Sequence, residues 1–249
     1  MTAGYTAADV ARAVDEAADP DRVAVLRSFF KTGPGEYGEG DVFVGVSVPK
    51  SRAIAGRFAA LPISEIETLL ASAVHEHRFV ALVIANNAMA KAGKTRARDR
   101  AAEAAQRELV DMYLTAVRGG RVNNWDLVDV SAENILGPWL LERPRGLLGE
   151  LAQADSLWER RVALLSTFAF IKAGDASTTF ELCERLLDDR RDLIQKALGW
   201  MLREVGKRID RALLTGFLDE HAQDMGRTAL SYATEHLEPT TRAAYRAQR

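Results

Sequence analysis

The 249-residue chain is short of several residue types, and each shortage closes off a chemistry. Its single cysteine, Cys183, excludes an internal disulfide and any cysteine-rich metal site, and makes the cytosol the natural compartment. Cys183 lies in an amphipathic helical stretch, 180–187, so it reads as a core residue rather than a nucleophile. The four histidines, His75, His77, His221 and His236, form no HxxxH pair. His75 and His77 are two apart and do not share a helix face, so all four read as solvated and no metal is expected. Prolines number seven, most of them near expected loops. No apolar run approaches the roughly 18–20 residues of a membrane span, and Met1–Tyr5 lacks a basic-then-apolar leader pattern. Nor is there an excess of positive charge: 33 basic against 35 acidic residues leave a net −2. A protein that coats nucleic acid broadly is strongly basic, so any DNA binding here must draw on positive charge gathered on one surface.

What the chain does have is helical periodicity almost from end to end. The pattern predicts helices over Ala7–Glu16, Asp21–Lys31, Lys50–Ala60, Ser64–Ala73, His77–Ala92, Arg98–Val117, Asn124–Leu136 and Pro144–Gln153. It continues over Ser156–Lys172, Ala176–Leu187, Leu193–Gly206, Asp210–His221, Gly226–His236 and Thr240–Arg246. Ser64 with Glu67 offers a capping box, Asp155-Ser156 starts the helix that carries Trp158, and Gly93, Gly174 and Gly206 fall where helices end. One acidic, glycine-rich segment, 32–41, breaks the pattern and must be a loop. The apolar run 42–46 after it has the look of a short strand and reads as a structured connection into Pro49, which suits a first helical turn. The segment lacks a GxxxxGK[ST] phosphate loop, and its acids would repel phosphate.

The helices also repeat. Val80-Ala81-Leu82, Val162-Ala163-Leu164 and Lys196-Ala197-Leu198 start similar stretches; Ala81 and Ala163 are 82 residues apart, and Ala163 and Ala197 are 34 apart. The first interval is two repeats of about 41, the HEAT length class. An α-solenoid of such helix pairs presents one helix of each pair on a concave face.

Three windows carry candidate chemistry. In Asn123–Val130, Trp125 and Asp129 are four apart and share a helix face. An aromatic plane beside a carboxylate suits a substrate that is cationic or becomes so; the alternative is a core tryptophan, with Asp126 or Asp129 capping a helix or pairing with arginine. In the second window, Trp158, Arg161 and Leu165 follow helical spacing, and Arg161 suits either a forked phosphate contact or an ion pair. In the third, Lys196, Trp200, Arg203 and Lys207 make a basic stripe around an indole, fit for a DNA backbone or for an ordinary solvated face. Asp129, Arg161 and Trp200 are spaced by 32 and 39 residues, close to one repeat each, which in a solenoid sets them on successive inner helices.

At these residues the chain resembles the AlkD-type DNA alkylation-repair glycosylases. The likeness runs through Gly45-Val46-Ser47-Val48-Pro49 with Arg52, Trp125-Asp126 with Val128-Asp129, Trp158 with Arg161, and Gln195-Lys196-Ala197 with Gly199-Trp200 and Leu202-Arg203-Glu204. The resemblance implies a single all-α domain over 1–249, a right-handed solenoid of HEAT-like repeats with a concave DNA-binding groove. It implies hydrolysis of the N-glycosidic bond of N3- or N7-alkylated purines in duplex DNA without base flipping, by a monomer that needs no cofactor and works in the bacterial cytosol. Asp129 is then the catalytic carboxylate, Trp125 and Trp200 are aromatic walls against the deoxyribose, and Arg161 holds the backbone, with Trp158, Lys196, Arg203 and Lys207 on the DNA side. The departures from the family pattern are Ser47, where a longer polar residue is usual, and the acidic loop. The rival readings are a non-catalytic DNA-structure binder and a HEAT-type protein scaffold.

Overall fold

The computed structural model describes residues 4–94 and 100–248. Among these the regular secondary structure is all helical, with fifteen helices and no strand. It divides into two compact units, Met1–Ile135 and Leu136–Arg249. The all-α, HEAT-like class expected from the sequence is the one observed, with helices packing on near neighbours in the chain.

The first unit holds α1 (Ala7–Asp15), α2 (Pro20–Arg27), α3 (Val48–Arg57), α4 (Ile63–Leu70), α5 (His75–Gly93), α6 (Arg100–Arg118) and the start of α7 (Trp125–Leu140). The expected helix start at Arg98 lies outside the described residues. Helix α5 is the axle: every residue from 75 to 85 is buried, and α1, α3, α4 and α6 pack on it. A helix enclosed on all sides must be apolar all round or have its polar groups paired, and α5 does both. Leu82 and Ile84 are fully buried, while His75, Glu76, His77 and Arg78 crowd its first turn, each with partners.

The second unit holds the end of α7, α8 (Gly146–Gln153), α9 (Leu157–Ser166), α10 (Phe168–Lys172), α11 (Ser177–Arg185), α12 (Asp192–Arg208), α13 (Arg211–His221), α14 (Arg227–Ala233) and α15 (Pro239–Ala247). Helix α12 plays the part of α5, with α9, α10, α11, α13 and α14 against it. Ile194, Ala197, Leu198, Met201, Leu202 and Val205 are buried to the last atom. Gly199 lets α14 approach closely: a Cβ there would run into the Ala229 carbonyl and lie 2.6 Å from Tyr232 Cβ.

Several expected boundaries move for local reasons. The helix expected over Ser156–Lys172 breaks at Thr167, where Ser166 and Thr167 hydroxyls donate back to Val162 and Leu164 carbonyls at 2.7 Å each, a bond that bends helices. The capping box at Ser64 is not formed: α4 starts at Ile63 behind Pro62, and the neighbouring Glu65 instead accepts from the Ala7 N–H at 2.7 Å. Gly206 does not end its helix. It sits inside α12, where a Cβ would press on Leu214 of α13. Ser156 does cap α9, Pro49 does occupy the first turn of α3, and Gly174, at φ +87°, follows α10. The run 42–46 makes one isolated parallel bridge, Val42 to Val74.

Candidate functional site

The first unit's candidate residues gather at the start of α7. Asn124, fully buried, precedes the helix and accepts the Trp125 N–H with its side-chain carbonyl at 2.9 Å. Trp125 and Asp129 follow on one face, both half-buried. The Trp125 indole N–H donates to the Phe29 carbonyl at 3.4 Å, and its ring stacks on Phe30 at 5.3 Å. Asp129 lies close enough to the buried Tyr113 that, after burial itself, its charge helps hold the phenol above its ordinary pKa.

Asp126 has a separate task. Its Oδ2 meets His75 Nε2 at 2.8 Å, and its Oδ1 is buried without a hydrogen-bond partner. The other ring nitrogen of His75 faces Asp41 at 3.4 Å. The expectation of solvated histidines is corrected here for His75 and His77, which are 3% and 6% exposed; His77 contacts Ser72 and Asp15 through its two nitrogens, at 3.0 and 3.1 Å. Burial works against a charge on His75, but the bond to Asp126 and its charge, then Asp41, outweigh that and raise its pKa to about 9. Asp41 is likewise opposed by burial, yet His75 and Arg78 hold it down at about 2. Arg78 gives Asp41 a 2.6 Å ion pair and donates to Asn123 at 2.6 Å, while Asn123 and Asn124 each donate to Asp41 at 3.3 Å.

The acidic loop thus delivers one carboxylate, Asp41, into the base of the site. The next stretch is pinned by Glu76, whose carboxylate accepts from the Val44, Gly45 and Val46 N–H groups, the shortest at 2.8 Å. Gly45 is required there, because φ is +88° and a Cβ would meet the Asp19 carbonyl.

The second unit carries the other candidates on α9 and α12. Arg161 is 4% exposed, and its guanidinium donates to the Leu193 carbonyl at 2.5 Å, tying α9 to the first turn of α12. Trp158 is also buried, at 8%. Trp200 is half-buried and meets Phe168 at 6.1 Å. The stripe on α12 is basic but largely paired: Lys196 bridges Asp192 at 2.8 Å, and Arg203 bridges Glu235 and, at 3.3 Å, Glu204. Lys207 is exposed. Sequence reasoning missed Phe168, over which Lys172 and Arg208 place their cations at 4.6 and 4.9 Å. It also missed the His75 cluster, although His75-Glu76-His77-Arg78, four polar residues ahead of the apolar run 79–85, was a visible anomaly. Cys183 is fully buried as expected, and burial pushes its thiol well above the ordinary range. Among the described residues no group of three His, Cys, Asp or Glu is placed to hold a metal, and no helix is long and apolar enough to cross a membrane.

A family model described as DNA alkylation repair enzyme matches residues 10–237. Among solved structures, one described as "Predicted DNA alkylation repair enzyme from Enterococcus faecalis" aligns with a TM-score of 0.66 at 19% identity, over 89% of this chain and 97% of that one. At that identity the likeness is one of fold. No curated protein matches the chain.

Proposed function

The chain belongs to the DNA alkylation repair enzyme family, which gives it a role in DNA repair, and from that premise we propose that it is a monofunctional DNA glycosylase. Its substrate is duplex DNA carrying purines made cationic by alkylation at N3 or N7, and its product is an abasic site. The C1′–N bond breaks with its electron pair moving to the purine, which leaves neutral. The sugar passes through an oxocarbenium-like state and takes a hydroxyl from water. Asp129 stabilises the sugar cation and accepts the water proton. The face of Trp125 attracts the same positive charge, and Trp200 is assigned to the deoxyribose as the family resemblance implies. Because the lesion is already a good leaving group, no base pocket with a strong general acid is needed, and the base stays unflipped. No cofactor takes part, and the enzyme works as a cytosolic monomer.

The observation that supports this reading best is the division of labour on α7. Asp126 is bound to His75 in a buried cluster, whereas Asp129 shares the face of Trp125. The two acids, three residues apart, thereby differ in role, and the one on the aromatic face is the catalytic candidate. Arg161, Trp158, Lys196, Arg203 and Lys207 are assigned to the DNA backbone. Arg161 is 4% exposed and bound to the Leu193 carbonyl, so its assignment rests on the family resemblance.

Release of 7-methylguanine and 3-methyladenine from methylated duplex, wild type beside Asp129→Asn, tests the proposal. Release by the wild type alone is expected. No release by either folded protein, with duplex affinity retained, moves the chain to the DNA-structure binders; loss of affinity as well moves it to the protein scaffolds.

A further inference from the structure

We propose that His75 is a positioning residue of this site: clamped between Asp41 and Asp126 and stacked into a row of aromatic rings, it fixes the Trp125 indole and the helical turn that carries Asp129. The row is continuous. His75 stacks on Phe43 at 4.7 Å, Phe43 on Phe30 at 5.1 Å, and Phe30 on Trp125 at 5.3 Å, while Phe30 also touches the His75 ring directly at 5.0 Å. One histidine therefore holds α7 in two ways: through the Asp126 carboxylate, next in the chain to Trp125, and through the rings beneath the indole. Neutral histidine donates one N–H, and imidazolium donates two. With a carboxylate at each nitrogen, only the charged form satisfies both sides.

The charged groups facing His75 are Asp41 from the loop before α3, Asp126 from α7 and Arg78 from its own helix; the adjacent Glu76 turns its carboxylate toward 44–46. Together His75, Arg78, Asp41 and Asp126 balance to zero charge while His75 is protonated. Removing that proton leaves a net negative charge in a buried space, where the Asp126 Oδ1 already lacks a partner. The clamp on α7 then opens. Its pKa of about 9 keeps the clamp closed at neutral pH.

The catalytic arm of this inference rests on the glycosylase reading, and its structural arm does not. The experiment follows two readouts from about pH 6.5 to about pH 10, a range that brackets the free and raised histidine values. One is single-turnover release of 7-methylguanine. The other is the emission of Trp125, taken as the difference between each protein and its Trp125→Phe counterpart. In the wild type both change together, with a midpoint near 9. In His75→Gln that midpoint is lost, release at neutral pH falls by at least about tenfold, and duplex affinity stays within about threefold, as a misplaced reacting group predicts. Should His75→Gln fail to fold, Asp126→Asn replaces it, and the midpoint moves to lower pH. A flat Trp125 emission in the wild type overturns the inference whatever the enzyme does, as does a midpoint kept in His75→Gln. If the wild type releases no base, the glycosylase reading falls and the emission arm alone decides the positioning role.

Discussion

Replacing His75 by glutamine removes a buried charge between two carboxylates, and the energetic consequence depends on pH in a calculable way. The folded protein raises this histidine from 6.5 to about 9. At about 1.4 kcal/mol per pH unit, protonation of His75 contributes about 3 kcal/mol to the folded state. Because the folded value lies above the unfolded one, that contribution is complete below about pH 6.5, shrinks as pH rises, and is gone once pH passes about 9. The depressed value of Asp41 works in the opposite direction, since its stabilisation is present above 3.8 and lost as pH falls through about 2. Chemical or thermal unfolding of wild type and His75→Gln at a series of pH values therefore gives two curves that converge. The gap between them narrows by about 3 kcal/mol between about pH 6 and about pH 10, equivalent to about 6–12 °C in Tm for a chain of this size. Parallel curves across that range would refute the account of a charged His75.

Three further outcomes are expected. Gly199→Ala, with its new methyl against the Ala229 carbonyl and Tyr232, lowers stability by about 1–3 kcal/mol, whereas Gly216→Ala inside α13, with nothing within 4 Å, raises it by up to about 1 kcal/mol; equal Tm values for the two would contradict the packing described. Arg161→Ala costs about 1.5–3 kcal/mol of stability through the lost bond to the Leu193 carbonyl and weakens both duplex binding and excision, so a variant with wild-type affinity would remove Arg161 from the DNA side. Affinity for undamaged duplex falls with added salt, and Lys207→Ala reduces the slope of log K against log salt by about 1; an unchanged slope counts against Lys207 as a phosphate contact.

The helices were legible because periodicity is local, and so were devices that act within one turn, such as Ser156 at the start of α9 and Pro49 in α3. The Trp125–Asp129 face was legible for the same reason. What escaped depends on residues far apart in sequence. Nothing near His75 announces Asp41, 34 positions before it, or Asp126, 51 after it, so spacing within the helix made it look solvated. Gly206 was placed at a helix end because glycine is common there, but the neighbour that requires it, Leu214, lies on another helix. The basic stripe on α12 was read from one helix alone, whereas the acid that pairs with Arg203 across helices, Glu235, follows α14.

Sequence distance also sets the order in which the first unit can assemble. Asp41 meets His75 and Arg78 across 34 and 37 residues, but Asn123 and Asn124 across 82 and 83. On a ribosome adding about 5–20 residues each second, the Asp41 loop waits about 4–16 seconds for the start of α7 to be made. Until then the Asp41–His75–Arg78 cluster has one carboxylate too few, and a surface destined for burial faces water. Closure of the long loop carries an entropic cost that only the final contacts offset. The turn bearing Trp125 is therefore among the last parts of its unit to settle, and a slow step in its maturation should be sensitive to changes in a loop some eighty residues upstream.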